Sequence, residues 1–200
     1  MIGLIIGGIC AIADLCCKIA AVKMVAVKMV ADAICKIAQS LGLIKTDKPE
    51  ELGDKALQAA EAGIKPENFE DYDAYVKAIE KFEIDPEKSN KYTPEEKQKK
   101  GMEVAACSMM GELGAEVVES LLTLALTKSN LFTVGRFDAL GKICATDKAA
   151  VKILVDVLSN RDKSDASISK AMDILTSMEK AENPALSAAE ARRQARAMRR

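Results

Sequence analysis

Apolar residues recur at three- and four-residue spacing along nearly the whole chain, and no stretch of useful length alternates with a period of two. The pattern predicts helices throughout and no sheet. It is strongest in the first forty-one residues, which contain no proline and repeat themselves: ADLCCKIA at 13–20 returns as ADAICKIA at 31–38, and AVKMV at 21–25 returns at 26–30. On a helical wheel, Asp14, Lys18, Lys28, Asp32, Lys36, Gln39 and Ser40 fall on one narrow polar stripe, with only Lys23 well off it. The two ADxxCKIA copies are 18 residues apart, which is five helical turns, so an unbroken helix presents both on the same face. Such a helix would be about 60 Å long. Gly42 followed by Leu43 reads as its glycine stop.

Two thirds of that helix's circumference is apolar, more than an ordinary surface helix carries. Ile5, Ile9, Ile19, Val22, Met24, Val27 and Ile34 mark the apolar arc. Three burial modes suit it: a central helix wrapped by the rest of the chain, a helix lying in or on a membrane, or a self-associating seam. A simple transmembrane span is disfavoured, because the longest uncharged run, 1–13, is shorter than the roughly 20 residues a span needs. No basic segment precedes the apolar run, so a secretory signal is not expected. Gly3 and Gly7 match the small-residue spacing of packed membrane helices.

Further along, Asp47 reads as the N-cap of a helix with Pro49 in its first turn and Gly63 as its stop. Phe69, Tyr72, Tyr75, Val76, Ile79 and Phe82 place one apolar stripe on a helix over 69–83. A polar connection, PEKSNKY, follows. Thr93 with Glu96 forms a capping box for a long helix over 94–127, where Gly111 and Gly114 are candidate kinks. A short helix is expected over 133–144, another after a Thr146 cap, and a third from Ser164 or Asp165 to the break at Asn183-Pro184. Ser187 with Glu190 is a second capping box, opening a final helix to Arg200. The chain divides into 1–44, an apolar to amphipathic N-terminal helix; 45–186, a helical bundle; and 187–200, a basic C-terminal helix. The fold class is all-α, a multi-helix bundle organised around the N-terminal helix.

Charge changes this picture at the ends. The formal net charge is −1, but 1–44 carry +2, 45–100 carry −4, 101–186 carry −3 and 187–200 carry +4. In the tail, Arg192, Arg193, Arg196, Arg199 and Arg200 fall within about 120° of a helical wheel, with Ala191, Ala195 and Met198 opposite. Guanidinium groups grip phosphate or carboxylate in a two-pronged fork, so this face suits nucleic-acid phosphates, anionic lipid headgroups or an acidic protein surface.

Candidate chemistry is sparse. With no histidine, every His-dependent triad or relay is excluded. None of the common nucleotide-binding, nucleophile-elbow or zinc motifs is present. The six cysteines lack CxxC spacing, and the four at Cys10, Cys16, Cys17 and Cys35 read as small buried hydrophobes in a reducing compartment. Glu112, Glu116 and Glu119 share one face of the predicted 94–127 helix and are the one carboxylate cluster that suits acid–base or metal work. No catalytic, cofactor or metal site is expected.

The leading expectation is therefore a non-enzymatic structural or interaction protein that oligomerises and engages a membrane through its N-terminal helix. In it, the stripe Asp14, Lys18, Lys28, Asp32 and Lys36 faces water or a lumen between subunits. The alternative is a soluble adaptor or structural protein whose C-terminal Arg helix binds nucleic acid or an acidic partner. Both place the chain in the cytoplasm or at a membrane periphery. The expected partners are a second copy of the chain, membrane lipid, nucleic acid or an acidic protein.

Overall fold

The computed structural model describes residues 2–22, 24–128, 131 and 133–199; the side chains of 2–7, 22, 24–26 and 134 fall outside that description. Among the described residues every regular element is helical and there is no strand, as the three- and four-residue periodicity predicts.

The N-terminal stretch forms two helices, α1 (Ile2–Val22) and α2 (Met24–Ser40), with Lys23 between them outside the described residues. Both pack on α6 (Pro94–Ser108). The Cys35 thiol points at the Gly101 carbonyl, 3.9 Å away, while the Cys16 thiol lies in the field of Glu103 and Cys107 on the same helix. A straight helix would put Cys16 and Cys35 about 28 Å apart. Their α6 neighbours lie within six residues of each other, about 9 Å along the axis. The chain therefore turns between the two cysteines, and the expected unbroken 60 Å rod is corrected. The reason is cover: α6 is about 22 Å long, so a rod laid on it would leave much of its apolar arc bare. Two shorter helices both find a buried face.

The described part of the arc is covered by the chain's own helices. Ile12, Ile19, Val27 and Ile34 are buried and Ile9 packs against the core; Ile5, Val22 and Met24 lie outside the described side chains. The polar stripe is split. Asp14 and Lys18 form an exposed pair at 2.6 Å, and Lys28 is exposed. Asp32 is half-buried, and burial raises its pKa. Lys36 turns inward to an ion pair with Asp138 of α9 (Val134–Thr146). The stripe thus does not face water as one surface. The helix stop at Gly42 holds: with φ +77°, it lets Leu43 N–H donate to the Ala38 carbonyl at 2.9 Å.

Helix α3 (Pro49–Glu61) lies along α6 with backbones nearly touching, because Gly53 faces the Lys97 carbonyl and Gly101 faces the Pro49 carbonyl. Its N-cap is Lys48, not Asp47, and no side chain caps it. A short 3₁₀ turn, Pro66–Asn68, leads to α4 (Tyr72–Lys81), which is capped by Asp71 accepting from Ala74 N–H at 2.7 Å. Its stripe docks on α3 and α6 with Tyr75, Val76 and Ile79 buried, and within it Tyr75 meets Phe69 and Tyr72 edge-on, at 5.8 and 5.3 Å between ring centres. The polar connection holds a single helical turn, α5 (Pro86–Ser89). Asp54 of α3 anchors it: Ser89 donates to its carboxylate, Lys97 pairs with it at 3.0 Å, and Gln58 donates to it at 2.8 Å.

The Thr93–Glu96 capping box opens α6 as expected. The predicted 94–127 helix is three: α6, α7 (Met110–Leu113) and α8 (Ala115–Thr127). Gly114, at φ +85° and ψ 145°, breaks it, a conformation that an L residue adopts only with strain. Helix α9 packs on α2 and α11 (Asp165–Glu182), and α10 (Ala149–Leu158) on α8 and α11. Thr146 ends α9 and does not cap α10; the Asp147 carboxylate accepts from Ala149 N–H at 3.1 Å instead. Arg136 pairs at 2.7 Å with Glu179, which is buried, and Thr133 donates to Glu182 at 2.8 Å, so the start of α9 is fastened to the end of α11. One core runs from Ile12 to Ala195, across the expected boundaries at 44 and 186.

Candidate functional site

The C-terminal helix α12 (Ala188–Arg199) starts at the expected capping box. Ser187 N–H and Oγ both donate to Glu190, at 2.9 and 2.6 Å, and Glu190 N–H donates back to Ser187 Oγ. A helix of this length is marginal alone. Here Ala191 and Ala195 are fully buried and dock it on α11, and Lys128 donates to the Met198 carbonyl at 2.9 Å, closing its far end. The alanine face is what fixes the direction of the opposite, basic face.

Arg192, Arg196 and Arg199 line a groove of about 780 Å³ between α12 and the start of α11, together with Asn160, Asp165, Ile168, Ser169 and Met172. Arg193 is exposed on the flank, and Arg200 lies outside the described residues. Arg192 makes one exposed contact, to Asp173 at 3.3 Å. Among the described residues no ion pair engages Arg193, Arg196 or Arg199. Four of the five predicted arginines are therefore placed, three of them on one groove. The helical pattern puts Asp165 at the start of α11 and Ile168 and Met172 on its apolar face, but does not bring them to the arginines. Asn160 stands there because it adopts φ +58° at the end of α10, where its N–H donates to the Val157 carbonyl at 3.1 Å. A left-handed Asn after a helix is the signal that could have marked it.

The carboxylate cluster does not assemble. Gly114 puts Glu112 on α7 and the other two on α8, and Glu112 faces Lys148 at 3.5 Å. Among the described residues no group of three His, Cys, Asp or Glu side chains could hold a metal ion. All six cysteines are free; Cys16, Cys35, Cys107 and Cys144 are buried, but Cys10 and Cys17 are exposed, which corrects their reading as core residues. Burial pushes the Cys107 thiol up to about 12 and that of Cys144 to about 11. A second groove, of about 600 Å³ between α2 and the start of α3, carries four carboxylates against three ammonium groups, so it has no preference for a polyanion.

No helix among the described residues is long and apolar enough to cross a membrane. Compared with known protein families, with curated proteins and with solved structures, the chain matches none.

Proposed function

We propose that this chain is a non-enzymatic helical binding protein that grips nucleic-acid phosphates through α12. The observation that supports it is the convergence of Arg192, Arg196 and Arg199 on one groove while Ala191 and Ala195 hold their helix in place. Among the described residues Arg196 and Arg199 make no ion pair, so their guanidinium groups can meet a phosphate backbone and release its counterions without first losing an internal ion-pair partner; Arg192 has one exposed contact to give up, to Asp173. The acidic middle of the chain, 45–186, repels a polyanion and so favours its encounter with the basic C-terminal helix over the bundle. Membrane engagement through the N-terminal helices has less support. Their described apolar side chains Ile12, Ile19, Val27 and Ile34 are already buried by the same chain.

Deletion of 187–200 tests the proposal. Retention of the full chain on heparin or RNA should weaken on deletion, and the difference should shrink at high salt. Equal retention with and without the tail contradicts it.

A further inference from the structure

The groove beside α12 is bipolar. Arg192, Arg196 and Arg199 line it with cations, while Asp165 contributes a carboxylate and the half-buried Ile168, with the buried Met172 beneath the surface, an apolar floor. Among the described residues no ion pair joins Asp165 to any of the three arginines; the one pair these arginines make is Arg192 with Asp173. The groove is open to solvent, with a volume of about 780 Å³.

A nucleic-acid duplex matches only part of this lining. It presents phosphates on the outside and keeps the base faces stacked, so it offers nothing to Ile168 and Met172, and its phosphates are repelled by Asp165. An unstacked nucleotide presents all three chemistries at once. It has a phosphodiester, a flat apolar ring face, and, in adenine, cytosine and guanine, an exocyclic amine that donates to a carboxylate.

Building on the phosphate-binding reading, we infer that the ligand is single-stranded nucleic acid, with one base held in the groove. The ring lies against Ile168 and Met172, its amine donates to Asp165, and the flanking phosphates meet Arg196 and Arg199. Arg192, partly neutralised by Asp173, closes the edge.

The test is fluorescence anisotropy of the full chain with short oligo(A), oligo(U) and a mixed-sequence duplex of equal length at low salt. Oligo(A) should bind more tightly than the duplex, because only the unstacked base gains an apolar contact. It should also bind more tightly than oligo(U), and Asp165→Ala, which leaves no acceptor for the amine, should erase that base preference while leaving the salt dependence unchanged. Equal affinity for strand and duplex, or an A-over-U preference that survives in Asp165→Ala, overturns the inference and leaves phosphate binding standing. Failure of both strand and duplex to bind overturns the phosphate-binding reading together with it.

Discussion

Gly53 and Gly101 hold α3 and α6 in backbone contact: a Cβ on Gly53 would fall on the Lys97 carbonyl, and one on Gly101 on the Pro49 carbonyl. The contact sits beneath Cys35, whose thiol faces the Gly101 carbonyl, so α2, α3 and α6 meet at one place. Both obstacles are main chain, which cannot swing aside as a side chain does. Gly101→Ala should therefore cost at least about 3 kcal/mol of stability, the upper end of overpacking penalties, read by urea unfolding. A variant as stable as the parent would mean that the two helices are not this close.

Ile19 and Ile34 lie on different helices and are both buried in the core. Ile19→Glu places an uncompensated charge there and should cost about 3–5 kcal/mol. Helical signal and melting of the whole domain should fall together. If the variant instead keeps its melting curve and loses only liposome binding or oligomer size, α1 is a membrane or assembly helix and its arc is not core.

What is legible in the sequence is what local chemistry decides. The boxes at Thr93–Glu96 and Ser187–Glu190 and the stop at Gly42 lie within a few residues of the groups they satisfy, and each stands where the pattern puts it. The turn in the N-terminal stretch is not legible, because periodicity records which face is apolar and not how much cover α6 offers. Lys36 shows the same limit: Asp32 is its i,i+4 neighbour in the sequence, but its actual partner is Asp138, on a helix far along the chain. The arginine face is legible as a face. The groove is not, since Asn160, Asp165 and Ile168 belong to another helix and its preceding loop.

Thiol chemistry separates the two classes of cysteine. Cys10 and Cys17 are exposed, while burial raises the pKa of Cys16, Cys35, Cys107 and Cys144. A disulfide reagent should modify Cys10 and Cys17 quickly, and the other four only on unfolding. Rapid modification of Cys16 or Cys35 in the native protein would contradict their placement against α6.

Asp54 gives the fold an acid-side dependence. Burial acts to raise its pKa, but the bonds from Ser89, Lys97 and Gln58 favour the carboxylate and hold it below the ordinary value. The folded pKa is thus depressed, so this stabilisation is present above the unfolded value near about 4 and is lost as pH falls through the folded one. Asp54→Asn should be less stable than the parent at neutral pH, and the gap should close on acidification. A gap that is constant with pH would show that the carboxylate's charge is not what holds α5 to α3.

Phosphate binding by the groove arginines is measured most directly by the salt dependence of affinity. The full chain and the variant Arg192→Gln/Arg196→Gln/Arg199→Gln, which leaves Ala191 and Ala195 to dock the helix, should be titrated with single-stranded RNA across a range of salt. The slope of log affinity against log salt should become shallower by about 2 in the variant, at about 0.7 for each phosphate no longer neutralised, with affinity falling most at low salt. An unchanged slope and affinity would contradict phosphate binding through α12.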